Sequence, residues 1–287
     1  MTEKLIGIIG GSGLYEIEGF RALDEKKVNT PFGEPSDAII VGELNGRKVA
    51  FLPRHGKGHR FSPSTINYRA NICALKMLGV EWIISVSAVG SLKEEIAPGD
   101  FVVVDQFIDR TKFRAQTFFD DGITAHVSFA HPVCSSLADV LYNSASSLGI
   151  KTHKGGTYVC MEGPAFSTRA ESFLHRQWGA DLIGMTGMPE AKLAREAEIC
   201  YATIALSTDY DCWKEEEHAN VGAIVATIKK NVSNSKSVIR DVVAKIPEKR
   251  GCPCANALSG AIMTDLKTVP MNVKKKLEVI AGRYFKA

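Results

Sequence analysis

The sequence predicts an α/β fold in which one central sheet, mainly parallel or mixed, is flanked by helices. Three observations carry this. Short β-branched apolar runs alternate with helix-length amphipathic stretches along the whole chain. The runs lack polar alternation, as in 199–206 (ICYATIAL), so they read as strands buried on both faces. No linker, repeat or low-complexity segment divides the 287 residues, which predicts a single domain over 1–287 with a C-terminal helical tail from about 252.

Residues 5–9 form the first apolar strand, and it empties into Gly10-Gly11-Ser12-Gly13-Leu14. Glycines after a strand let backbone N–H groups face an anion, and Ser12 adds a hydroxyl. A dinucleotide fingerprint fails because Glu16 stands where its third glycine belongs, and a nucleophile elbow fails at Leu14. What remains is a phosphate-sized cradle. Residues 48–53 (KVAFLP) form a second strand, ending in Arg54-His55-Gly56-Lys57-Gly58-His59. His55 and His59 have the spacing of a helical metal pair, but the two glycines between them argue for a cationic loop. Arginine there offers paired donors to phosphate or carboxylate.

Pro63-Ser64 opens a helix that stops at Gly79. The strand 82–86 (WIISV) follows, then Ser87-Ala88-Val89-Gly90-Ser91, a third strand end able to meet an anion. Residues 101–106 form a strand, and the aromatic, polar stretch 109–131 reads as a functional or interface loop. A helix over 134–148 ends at Gly149, and 156–161 is a strand. Thr168 and Glu171 make a capping box for a helix to Trp178. After the strand 181–185, Pro189 fits the first position of a helix through Glu198. The strand 199–206 then delivers Ser207-Thr208-Asp209-Tyr210-Asp211. Two carboxylates at a strand's C-terminal end are either solvated loop residues or acceptors for a polar ligand bearing N–H groups. A long helix over 221–245 and a last helix, roughly 272–285, complete the chain.

Composition excludes several classes. The net charge of +3 is small, and the late lysines and arginines alternate with apolar positions at helical spacing, so no nucleic-acid partner is expected. No apolar run reaches the ~18–20 residues of a membrane span. The N-terminus lacks a charged region followed by a long apolar core, so a cytoplasmic location is expected, with cysteines acting mostly as small buried hydrophobes.

The blocks GIIGGSGL (7–14), PRHGKGH (53–59), SAVGSL (87–92), PGDFVVVDQFIDRT (98–111), EGPAFSTRAE (162–171), GMTGMPEAKLAREAEICYA (184–202) and STDYDCW (207–213) resemble the trimeric purine nucleoside phosphorylases. The resemblance runs from Leu5 to about Lys245 and is greatest to the branch acting on 5′-methylthioadenosine. It implies the nucleoside phosphorylase-like fold, and phosphorolysis of that nucleoside with inorganic phosphate as co-substrate. It implies no metal or organic cofactor, and a homotrimer whose trimers can pair. Phosphate would be held by Ser12, Arg54, His55, Ser87, Ala88 and Thr186. The nucleoside would lie against Ala88, Val89, Gly90, Phe166, Gly184 and Met185, with Val221, Ile224 and Val225 around the methylthio group. His126 would reach a neighbouring subunit's site. The catalytic set would be Asp209, Asp211 and Thr186, with Asp209 facing purine N7 and Asp211 the exocyclic amine.

The chemistry is consistent with those roles. An anion approaching an oxocarbenium-like ribose needs donors that are already oriented. A departing purine needs a proton or hydrogen bond at N7, which a partly desolvated carboxylic acid can supply, typically ~10²–10⁴ in rate. Three features depart from the pattern. Ala165 stands where relatives often carry arginine, and Gly184 with Gly187-Met188 resembles members that take 6-oxo purines. Cys252-Pro253-Cys254 resembles a C-terminal pair in some relatives, and Cys134 and Cys200 match positions that are disulfide-bonded in thermophilic archaeal ones; reduced thiols are expected here. The alternatives are a methylthioinosine or general purine nucleoside phosphorylase, a nucleoside hydrolase, and a nucleotide-binding regulatory module.

Overall fold

The computed structural model describes residues 4–214 and 221–286, and at Ser12, Tyr15, Val221, Ala223 and Ile224 it describes the backbone only. Among these, eleven strands join in one mixed sheet. In chain order the elements begin with β1 (Leu5–Gly10), β2 (Arg21–Lys26), β3 (Ile39–Leu44), β4 (Arg47–Pro53), α1 (Tyr68–Met77) and β5 (Val80–Ser91). Next come β6 (Phe101–Val103), β7 (Gln106–Arg110), α2 (Ser135–Ser147), β8 (Thr152–Lys154), β9 (Thr157–Met161), α3 (Arg169–Gln177) and β10 (Leu182–Gly184). The chain continues through α4 (Glu190–Glu196), β11 (Cys200–Asp209), α5 (Val221–Lys245), α6 (Met271–Lys276) and α7 (Glu278–Ala281). The α/β class and the mixed sheet agree with the sequence.

Both faces of the sheet are covered. Ile6 and Ile8 of β1, with Val49 and Phe51 of β4, turn toward Leu137 and Leu141 of α2 and Val238 and Val242 of α5. Their neighbours Ile9, Ala50 and Leu52 turn the other way, toward Ile72 of α1, Leu193 of α4 and Ile280 of α7. Period-two alternation between two apolar layers is what a strand without polar positions requires. Each such side chain contributes roughly 1.5–3 kcal/mol by leaving water.

β5 organises the topology. On one edge it pairs in parallel with β11 along nearly its whole length, Trp82 with Cys200 through Gly90 with Asp209. On the other edge it changes partner. β1 pairs with it as far as Ser85, and β10 joins it, antiparallel, only from Gly90. Between those points residues 86–89 have no strand beside them on that edge, and the open edge faces the functional cavity described below.

Several boundaries differ from the sequence reading, each for a tertiary reason. Residues 87–91 are not a turn. They stay extended because β11 and then β10 hold them. The first helix starts at Tyr68 rather than Pro63, because Asn67 caps it by accepting from the Ala70 N–H. The run 101–106 splits, with β6 pairing β11 and β7 pairing β9. The last helix is broken at Leu277 into α6 and α7. The strands β2, β3 and β8 are additional to the sequence reading; β2 is exposed along its whole length and carries no core pattern. The capping box at Thr168 and the helix over 221–245 are as expected.

Candidate active site

The C-terminal ends of β1, β4, β10 and β11 meet the open edge of β5 around a cavity of about 480 Å³. The three strand ends that the sequence marked as anion-friendly all reach it, through Gly11 and Gly13, through Arg54, His55 and His59, and through Ser87 to Gly90. Gly184, Met185, Thr186, Phe166, Asp209 and Asp211 line it as well.

Arg54 ends a buried strand and is itself 2% exposed. A buried cation needs a counter-charge, and α4 supplies Glu190, which is 1% exposed. Arg54 Nε donates to Glu190 Oε2 at 2.8 Å, Nη2 to Glu190 Oε1 at 3.1 Å and Ser85 Oγ at 2.7 Å, and Nη1 to the Val86 carbonyl at 2.9 Å. Ser85 and Tyr201 hydroxyls also donate to Glu190 Oε1. Burial works against the Arg54 cation, but the Glu190 carboxylate outweighs it and holds the guanidinium charged. The result is a fixed, internally paired guanidinium beneath the end of the cavity that Gly11, His55 and Ser87 line.

His55 is held with Nδ1 2.9 Å from the Phe61 carbonyl, so Nδ1 carries the proton and donates. Burial, with Arg54 and His59 adding to it, pushes its pKa down to about 4. At neutral pH Nε2 is therefore an acceptor, suited to a protonated oxygen. Its ring stacks on His59 with centroids 4.1 Å apart. Thr186 is buried, with its hydroxyl 3.2 Å from Ser87 Oγ.

At the opposite end stand the carboxylates. The Thr208 hydroxyl lies 2.6 Å from Asp209 Oδ2 and 3.1 Å from the Val89 carbonyl, and donates to one at a time. Asp211 is 8% exposed, and its buried Oδ2 has no hydrogen-bond partner among the described residues. Gly90 is what lets both carboxylates lie against β5, since a Cβ there would sit 3.2 Å from Asp209 Oδ1 and 3.3 Å from Asp211 Cβ. Two other glycines are explained by packing. A Cβ at Gly184 would meet Tyr158 Oη at 2.1 Å, and one at Gly187 would meet the Phe107 ring at 2.6 Å.

The apolar wall differs from expectation. The Ser12, Val221 and Ile224 side chains lie outside the described residues. Val225 is 45% exposed and does not line the cavity, whereas Ile228 and Val232 of the same helix do. Phe166 lines the cavity while remaining 85% exposed, at its mouth. His126 is exposed and lies outside its own chain's cavity, with its backbone N–H bonded to the Ala261 carbonyl.

Sequence reasoning missed Glu190, Thr208, Tyr158 and a second buried arginine. Arg114 donates to the carbonyls of Met185 and Met188 at 2.6 Å each, to that of Glu162 at 2.6 Å and to the Glu162 carboxylate at 3.2 Å. It thus ties the segment after β9 to the segment after β10 from behind. The signal for Glu190 was present: an arginine closing a buried strand requires a carboxylate. Arg114 sits in the irregular stretch 109–131, where no periodicity points inward.

Comparison with known proteins agrees with this geometry. The family model of the phosphorylase superfamily matches residues 5–244. S-methyl-5′-thioadenosine phosphorylase of Geobacter sulfurreducens is 57% identical over 284 residues, covering 98% of this chain and 99% of that one. The crystal structure of a methylthioadenosine phosphorylase from an Antarctic soil metagenomic library aligns with TM-score 0.94 at 49% identity, covering 98% of this chain and 99% of that one. The Schistosoma mansoni methylthioadenosine phosphorylase in complex with adenine aligns with TM-score 0.84 at 38% identity, over 90% of this chain and 97% of that one. The chain belongs to the phosphorylase superfamily, within the family of S-methyl-5′-thioadenosine phosphorylases.

Proposed function

We propose that this chain catalyses phosphorolysis of 5′-methylthioadenosine to adenine and 5-methylthioribose 1-phosphate, a purine and methionine salvage step. The observation that carries the reading is Asp211. A buried carboxylate oxygen with no donor among the described residues costs several kcal/mol unless a ligand supplies one. The 6-amino group of adenine is such a donor, and a 6-oxo group is not. Gly184 and Gly187, which resembled 6-oxo-purine members, have a packing reason in Tyr158 and Phe107 that supports no separate specificity reading.

In the proposed step the C1′–N9 bond breaks, a phosphate oxygen bonds to C1′, and the electron pair passes to the purine. A protonated Asp209 delivers its proton to N7, with Thr208 orienting the carboxyl. Phosphate rests on the glycine turn with Ser12, on the open β5 edge at Ser87 and Ala88, and on Thr186 and His55, with the Arg54–Glu190 pair fixing the field beneath. Met185 packs on the ribose and Phe166 on the base. Phosphate is the co-substrate, and neither metal nor organic cofactor enters the step. The family resemblance supports a homotrimer, with His126 reaching the neighbouring site, trimers able to pair, and a cytoplasmic location.

The test is base release from 5′-methylthioadenosine and 5′-methylthioinosine with and without phosphate. Phosphate-dependent release of adenine is expected, and Asp209→Asn should lower kcat by about tenfold or more. Equal release without phosphate would make it a hydrolase. Cleavage of methylthioinosine alone would sink the 6-amino assignment.

A further inference from the structure

Four of the seven cysteines gather at the other end of β11. Cys200 begins that strand, and Asp209 ends it, about 30 Å further on at the rise of an extended strand. Cys134 stands immediately before α2, where its backbone N–H is bonded to the Tyr201 carbonyl. Cys252 and Cys254 flank Pro253 at the start of the tail. The four Sγ atoms all lie within 4.8 Å of one another, and those of Cys200 and Cys252 are 3.2 Å apart. Three of the four are buried and Cys252 is half-buried. Three segments remote in sequence, 134, 200 and 252–254, thus aim every sulfur at one point.

We infer that this cluster is a structural site for a thiophilic divalent ion of the zinc class, ligated by Cys134, Cys200, Cys252 and Cys254. The donor set has the number and the softness that zinc takes in closed sites. A tetrahedron with zinc–sulfur bonds of about 2.3 Å has sulfur–sulfur edges of about 3.8 Å. The cluster's separations lie around that edge, at most about 1 Å beyond it. No sulfur pair is joined as a disulfide. Four unliganded thiols this close would leave weak S–H donors crowded in an apolar layer, beside Leu137 and Val133. Binding replaces the four thiol protons, which pass to solvent, and leaves a tetrathiolate with two net negative charges.

The consequence is structural. Cys252 and Cys254 tether the tail to β11 and α2. The tail then reaches back to the body: Arg283 and Tyr284 bond Glu198, Leu258 N–H bonds the same carboxylate, and Ile262 bridges Ala125 beside His126. The ion would anchor this run at its first residues, far from the cavity.

The test uses the full chain, produced untagged and purified under reducing conditions without chelator. Mass-spectrometric metal analysis should give about one zinc per chain. Both Cys252→Ser and the Cys252→Ser/Cys254→Ser double variant should fall to background, with phosphorolysis at 25 °C unchanged. Chelation of the wild type should lower Tm by about 5 °C or more, and zinc should restore it. Cobalt in place of zinc should show the visible absorption of a tetrahedral tetrathiolate. Background metal in the wild type after incubation with zinc would overturn the inference. So would an intact mass four hydrogens lighter than the thiol form, which means two disulfides, or full metal retained by the double variant.

Discussion

The two ends of the cavity solve opposite problems with the same kind of side chain. At the anion end the carboxylate of Glu190 accepts from Arg54, Ser85 and Tyr201, and every contact is internal. At the base end the buried Oδ2 of Asp211 accepts from nothing in the described protein. One carboxylate is consumed in holding a cation still, and the other is left for a ligand to complete. Satisfied groups shape the field before substrate arrives, and unsatisfied groups say what substrate must bring.

A third carboxylate refines this. Glu196 lies six residues beyond Glu190 on α4 and is 5% exposed. It receives the Thr117 hydroxyl at 2.6 Å and the Phe118 N–H at 2.7 Å, but no ion pair among the described residues. Burial therefore pushes its pKa up to about 7. Two buried glutamates on one helix thus have different partners, an arginine for Glu190 and a hydroxyl with an amide for Glu196.

The contrast can be broken most severely at Glu190. Glu190→Ala leaves Arg54 buried and unpaired, and should cost about 3–5 kcal/mol in urea unfolding, with activity falling alongside. A loss under 1 kcal/mol would mean that water or another acceptor takes over. Asp211→Asn should do the reverse. It should lower kcat/KM for the 6-amino nucleoside by about 10–100-fold, while Tm stays level or rises, because Asp211 Oδ2 has no hydrogen bond among the described residues to lose. A large fall in Tm would show that Asp211 holds the fold rather than the base. Glu196 is read through pH rather than through a loss of activity. Its folded-state pKa lies above the ordinary 4.5, so the folded chain binds more protons between pH 4.5 and 7. Stability is therefore complete below about 4.5 and is lost as pH rises through 7, with a slope of at most about 1.4 kcal/mol per pH unit. Thermal unfolding across that window should show the slope, and Glu196→Gln should flatten it.

Much of the site was legible because it lies at strand ends. Apolar runs mark the strands, glycine turns mark the cradle, and the two carboxylates at 209 and 211 mark a strand end, their purine roles coming from the family resemblance alone. On α5, helical periodicity tells which face is apolar but not how far along it the cavity lies; Val225 stays outside the lining, whereas Ile228 and Val232 belong to it. Arg114 left little trace in sequence because most of its partners are backbone carbonyls at 161–162, 185 and 188, which any residue type can supply.

The sequence by itself determined the alternation of strand and helix, the two apolar faces and the glycine turns and carboxylates at strand ends, since these follow from local periodicity and chemistry. Only the tertiary structure decided that residues 86–89 stay extended with one edge open, that Arg54 is bound to Glu190, and that four cysteines from three segments share one point. Those facts depend on which strands become neighbours, and pairing partners remote in sequence leave no local signature.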